Sequence, residues 1–262
     1  MNAFSYRVQT LQPSAIREIL KFTADPEVIS FAAGNPAPEA FPTEEIARIT
    51  NEILTTTPID ALQYSITEGY TPLRNWIKDD LKKKGMFNEN DEDVVITSGA
   101  QQAIEVVTKE ICNEGDTIIC EAPTFIGSLN AFRSYNAKLV GVEMEDDGIN
   151  IDKLEKALIE NPRTAFIYLI PNFQNPTGKT MSLEKRKAVL ALAQKYNVYI
   201  LEDNPYGDLR YIGENVPTIK SLDKNGNVLY AGTFSKTLAP GLRVGYPVSY
   251  THLRAHETAA NL

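Results

Sequence analysis

The spacing of apolar positions changes about a third of the way along the chain. From residue 94 onward, short apolar runs recur at 94–97, 117–121, 138–142, 165–170, 198–203 and 228–232. Between several of them, at 101–113, 126–135, 151–161 and 183–196, apolar residues return three and four positions apart. The first pattern predicts strands and the second amphipathic helices. Runs such as AFIYLI and VYILED are apolar on both faces, as expected of strands covered by helices on both sides. Strand–helix alternation predicts a mainly parallel sheet in a three-layer α/β/α domain. Before residue 94 the pattern is looser. Ser14 is placed to cap a helix over 15–22 that ends before Pro26, and FAAGNPAPEAFP (31–42) is a Gly/Pro-punctuated loop. Thr43 opens a helix with Glu44 and Glu45 in its first turn, and a further helix is expected over 72–84, ending at Gly85. No internal repeat or low-complexity tract interrupts the pattern.

Composition narrows the class. At 262 residues the chain can bury roughly 70–75% of its unfolded surface, so it needs no covalent staples. The 26 Lys+Arg against 34 Asp+Glu leave a net charge of −8, which argues against nucleic-acid binding. Hydrophobic residues at 43% and charged residues at 23% describe a soluble globular protein. Cys112 and Cys120 are too few for a disulfide framework and are expected to be reduced core thiols in a cytoplasmic protein. No run approaches the ~20 apolar residues of a membrane span, and MNAFSYRVQT lacks the layout of a signal peptide.

Several polar residues fall at predicted strand ends, where open α/β sheets bind ligands. Ser98, Gly99, Ala100 and Gln101 form a Gly-containing turn into a helix, which suits either a phosphate site or an ordinary capped turn. Asp203 ends the strand VYILED and is either a partner for a buried cation or a cap for the next segment. Asn175 lies in NPTG, by itself only a turn. Lys236 lies in TFSKTLAPGLRVGY, between a strand and a Gly/Pro loop, with Arg243 just beyond; an amine and an anion-binding group thus share one strand end.

SGAQQA, NPTG, EDNPYGDLRY and TFSKTLAPGLRVGY, in that order, resemble the class I/II aminotransferases of pyridoxal-phosphate fold type I. The resemblance covers most of residues 10–247. PSAIREILKFTADPEVISFAAGNP is similar to the branch containing 2-aminoadipate and kynurenine aminotransferases. The resemblance implies a pyridoxal 5′-phosphate enzyme that moves an amino group between an amino acid and a 2-oxo acid such as 2-oxoglutarate. It implies that Lys236 forms the Schiff base with the cofactor and then moves protons, and that Asp203 binds the ring nitrogen and keeps it protonated. Asn175 and Tyr206 would hydrogen-bond the ring oxygen, with Asn175 also bordering the substrate. Phe125 would stack on the ring, where the family often has Tyr; a plain packing role is the alternative. Ser98, Gly99, Ala100, Gln101, Thr233, Ser235 and Arg243 would hold the phosphate. Tyr64 matches a residue that reaches the partner subunit's cofactor, which implies a homodimer; a buried aromatic is the alternative. Gly34 would border the substrate carboxylate. Arg17 matches a mobile arginine for a distal carboxylate, or is a solvated helix-face residue.

The resemblance also sets domain expectations: an arm and loop over 1–42, a cofactor-binding large domain over 43–247, and a non-native-looking tail over 248–262. The family continues past this point with an interdomain helix and a small C-terminal domain that carries the arginine for the substrate α-carboxylate. SYTHLRAHETAANL does not match that continuation and resembles translated adaptor sequence. His252 and His256, its two histidines, are not expected to be metal ligands, and no metal is expected elsewhere. Alternatives are a lyase or decarboxylase with the same cofactor residues, an inactive fragment, and the effector half of a transcription regulator. The regulator would need a winged helix before the arm.

Overall fold

The computed structural model describes residues 27–29 and 34–250. Eight strands form one sheet in the order β1-β8-β7-β6-β5-β2-β3-β4. Their spans are β1 Glu92–Val94, β2 Thr117–Ala122, β3 Lys138–Glu145, β4 Gly148–Ile149, β5 Thr164–Leu169, β6 Tyr199–Asp203, β7 Val228–Thr233 and β8 Gly245–Tyr250. β3, β2, β5, β6 and β7 pair in parallel. β8 runs antiparallel to β7 and to β1, and β4 antiparallel to β3. The helices are α1 Thr43–Thr56, α2 Pro58–Leu62, α3 Thr71–Lys83, α4 Ala100–Ile111, α5 Ile126–Ser134, α6 Ile151–Glu160, α7 Leu183–Tyr196 and α8 Ile219–Leu222.

The two-faced burial of the central strands organises the layers. Along β5, Phe166 and Tyr168 join one core with Ala103, Ile104 and Val107 of α4 and Phe132 of α5. The intervening Ile167 and Leu169 join the other, with Leu154 and Leu158 of α6 and Val189 and Ala193 of α7. All four strand side chains are fully buried, so each face contributes about 1.5–3 kcal/mol per large residue. A third cluster packs Ile77 and Leu81 of α3 against Tyr246 and Val248 of β8. Arg74 of α3 is buried there; its Nη2 donates to both Asp93 carboxylate oxygens at 2.8 Å and its Nε to the Val94 carbonyl. By contrast, α1 and α2 bury no residue.

The expected helices agree closely with those observed; 183–196 coincides with α7. Differences fall on short pieces. The run at 94–97 contributes β1 only up to Val94, while Thr97 makes an isolated bridge to Gly245. α2, β4 and α8 are too short to show a period. β8 begins inside GLRVGY, where no apolar run announces a strand, and extends through Tyr250, so three residues beyond 247 pair within the sheet. The helix expected over 15–22 lies outside the described residues, as do His252 and His256.

Candidate active site

β2, β5, β6 and β7 end at Ala122, Leu169, Asp203 and Thr233 on one edge of the sheet, and the loops beyond them build the site. Asp203 is the last residue of β6 and is 4% exposed. Its Oδ2 accepts from Tyr168 Oη at 2.7 Å, and Tyr168 accepts from Ser128 Oγ at 2.8 Å. Its Oδ1 is buried without a hydrogen-bond partner. A buried carboxylate oxygen left unpaired in the protein is expensive, so the position suits a ligand that brings a donor or a positive charge.

Beside it, Asn175 Nδ2 donates to Tyr206 Oη at 3.4 Å. The turn carrying Asn175 is fastened on both flanks. Gln174 is 1% exposed and donates to the Pro123 carbonyl at 2.8 Å, while its Oε1 accepts from Thr177 N and Oγ1. The fully buried Arg186 of α7 donates to Pro171 O, Asn172 Oδ1 and Met181 O. These bonds fasten the turn carrying Asn175, through Gln174, to the segment before α5, where Phe125 precedes the helix and packs on the core.

The phosphate-type turn lies at the start of α4. Gly99 has φ +80°, and a Cβ there would sit 2.4 Å from Arg243 Nη2. Only glycine allows both the backbone angle and the approach of the guanidinium. Arg243 itself adopts φ +54° and donates to the Ser98 carbonyl at 3.1 Å. Gly245 of β8 presses equally close to Gly99 and Ala100. Thr233 Oγ1 donates to Ser235 Oγ at 2.9 Å and accepts from Ser235 N at 3.1 Å. Gln101 reaches the Gly127 carbonyl at 3.2 Å. Free N–H groups at a helix start, hydroxyls and one guanidinium form a donor set suited to a phosphate.

Lys236 comes just after β7, and its Nζ donates to the Gly34 carbonyl at 3.2 Å. Partial burial pulls its pKa below the ordinary lysine value. Burial pushes Asp203 up to about 6, against which the Tyr168 hydrogen bond works. Glu121, on β2, is 2% exposed and pushed up to about 8, first by burial, despite bonds from Ile170 N and Gln174 Nε2. It is therefore neutral near pH 7 and leaves Asp203 as the buried anion of the site.

The structure thus gathers Ser98, Gly99, Ala100, Gln101, Phe125, Asn175, Asp203, Tyr206, Thr233, Ser235, Lys236, Arg243 and Gly34 along one edge. Tyr64 is fully exposed and makes no contact with that edge. Arg17 lies outside the described residues. Ser128, Tyr168, Glu121 and Gln174 were missed by sequence reasoning. The one signal for Tyr168 was a tyrosine inside a wholly apolar strand, whose hydroxyl needs a partner. Cys112 and Cys120 are buried, with thiol pKa values raised by burial to about 11 and about 12, so they are core residues. Among the described residues no group of three His, Cys, Asp or Glu is placed to hold a metal, and no helix is long and apolar enough to cross a membrane.

Comparison with known proteins gives a consistent set. The family described as Aminotransferase class I and II matches residues 26–259. The chain is 44% identical to aromatic-amino-acid aminotransferase 1 of Thermococcus litoralis, over 95% of this chain and 61% of that protein. It is 40% identical to 2-aminoadipate transaminase of Thermus thermophilus, over 95% of this chain and 62% of that protein. Among solved structures it superposes on Pyrococcus horikoshii kynurenine aminotransferase, in complex with PMP, with a TM-score of 0.90 and 40% identity, covering 98% of this chain and 64% of that one. The chain spans about three fifths of the length of the curated relatives it matches.

Proposed function

Because the chain belongs to the class I and II aminotransferase family, we propose that it is the cofactor-binding part of a pyridoxal 5′-phosphate transaminase. Its substrates are an amino acid of the 2-aminoadipate, aromatic or branched-chain type and a 2-oxo acid such as 2-oxoglutarate. The observation that carries this reading is the buried Asp203 carboxyl with Oδ1 unpartnered, at the end of β6, facing Tyr206, which accepts a bond from Asn175, with Lys236 beyond the end of the neighbouring β7. It fits a protonated ring nitrogen, and the Gly99–Arg243 cradle fits a phosphate. When bound, the cofactor supplies an electron sink for the pair released as a substrate Cα–H bond breaks.

The chain's own residues supply the rest. Ser98, Gly99, Ala100 and Gln101, with Thr233, Ser235 and Arg243, bind the phosphate. Asp203 holds a proton on the ring nitrogen by charge. Asn175 and Tyr206 orient the ring through its oxygen, and Phe125 covers its face. Lys236, with a lowered pKa, is an amine that deprotonates more readily than an ordinary lysine, so it can bond to a carbonyl carbon and carry a proton at Nζ. The Gly34 loop, tethered to Lys236, borders the substrate. Full exposure of Tyr64 supports a role on a second subunit of a homodimer. The large domain is assigned to 43–247 and continues through β8 to Tyr250, and the site of action is the cytoplasm.

The test is covalent capture. Chain mixed with pyridoxal phosphate and reduced with borohydride should carry the pyridoxyl group on the peptide containing Lys236, and Lys236→Ala should abolish it. Equal labelling of the variant would overturn the reading.

A further inference from the structure

We infer that Tyr168, backed by Ser128, is a positioning residue that fixes one oxygen of Asp203 and keeps its carboxylate ionised, so that Oδ1 alone is presented to the ligand. This rests on the proposed binding of a protonated ring nitrogen. Ser128, Tyr168 and Asp203 come from α5, β5 and β6 and are 0%, 0% and 4% exposed. An ionised carboxylate only accepts hydrogen bonds, so the single phenol proton of Tyr168 goes to Asp203 Oδ2 at 2.7 Å. Ser128 Oγ, 2.8 Å from the phenol oxygen, then donates to it. The chain of donors runs one way and ends on the carboxylate. Its middle member is held in place, because the Tyr168 ring packs edge-on against Phe132 at 5.2 Å. Burial raises the Tyr168 pKa far above its usual value, so it stays a donor across the working pH range.

The groups facing Asp203 from the neighbouring elements are Tyr168 of β5, Glu121 of β2 and Tyr206 of the turn after β6. Glu121 is pushed up to about 8 and gives no positive help; Tyr206 Oη accepts from Asn175 Nδ2 and makes no bond to Asp203 Oδ1, which has no partner. Burial works to protonate Asp203, and the Tyr168 hydrogen bond works against it. Removing that bond should therefore let Asp203 take up a proton near neutral pH. A protonated carboxyl has no charge to balance a ring cation.

The experiment tracks the carboxyl itself. The full chain is labelled with ¹³Cγ-Asp, and the Asp203 resonance is identified by its absence in Asp203→Asn. Its midpoint is expected near 6 in the native chain. Tyr168→Phe, which keeps the ring packing, should raise it by about one pH unit or more, and Ser128→Ala by a smaller amount. A midpoint unchanged in folded Tyr168→Phe would overturn the inference; should that variant not fold, an unchanged midpoint in Ser128→Ala would do so. A second arm titrates pyridoxal phosphate against pH by visible absorbance. The variant should bind about twofold more weakly than the native chain at pH 7 and about tenfold more weakly at pH 5, and the gap should close as pH rises. If the native chain binds no pyridoxal phosphate, the proposed function fails, while the carboxyl titration still decides the role of Tyr168.

Discussion

Two buried polar clusters lie at opposite ends of the same sheet. At one end, Lys220 is 3% exposed and its ammonium pairs with Glu92, with the Val228 carbonyl at 2.8 Å and with Tyr250 Oη at 3.1 Å. Glu92 Oε2 accepts from Asn88 N at 2.7 Å, and Tyr250 donates to Asp223 at 2.9 Å. Every donor of the ammonium is used. At the other end, Asp203 Oδ1, Glu121 Oε1 and Thr124 Oγ1 are buried with no hydrogen-bond partner. A cavity of about 920 Å³ borders the first end, lined by Phe87, Asn88, Lys220 and Tyr250 among others. Yet Asp203 Oδ1, Glu121 Oε1 and Thr124 Oγ1 are at the other. Unmet hydrogen-bonding capacity, rather than empty space, distinguishes the candidate site from the satisfied end. A fully paired buried cluster holds the sheet edge together, whereas an unpaired one waits for a group from outside.

The sharpest way to break the contrast is to unpair the satisfied end. Lys220→Met would leave Glu92 buried without its cation, and should cost about 3–5 kcal/mol in denaturant unfolding. Cofactor affinity of the folded fraction should be unchanged; a loss in affinity would show that the two ends are coupled. The converse change is Asp203→Asn. It removes the charge the site presents, so in the full-length protein the proposed transamination should fall at least ~10²-fold. Burial raises the Asp203 pKa, so removing its charge should not lower the unfolding free energy at neutral pH. Near-native turnover would refute its role.

The smallest effect concerns Glu121. Its pKa is about 8 in the fold against 4.5 ordinarily. Between these values the native state holds a proton that the unfolded chain has released. Stability is therefore full below about pH 4.5 and falls as pH rises toward 8. Glu121→Gln should flatten that decline. Thermal unfolding at pH 5 and pH 8 measures it. An equal decline in both proteins would mean that Glu121 is ionised in the fold.

The alternation of β2 through α7 was legible because helix and strand periods are set by local geometry. The motif residues were legible for a related reason: Gly99, Asn175, Asp203 and Lys236 each sit beside a strand end, so their neighbourhood is set by the order of elements. The sequence alone thus determined the layer architecture, and the order of its elements placed the candidate residues along one sheet edge. Tertiary structure decided what those residues touch. β8 returns antiparallel beside β7 and brings Arg243 onto Ser98, 145 positions earlier in the chain. Tyr168 meets Asp203 only because β5 and β6 pair in register, Tyr168 beside Leu201 and Leu169 beside Glu202. The short α8 exists because its first N–H groups, at Ile219 and Lys220, find the buried Glu202 carboxylate. Such contacts depend on how the sheet closes over long loops, and no pattern of neighbouring residues encodes that closure.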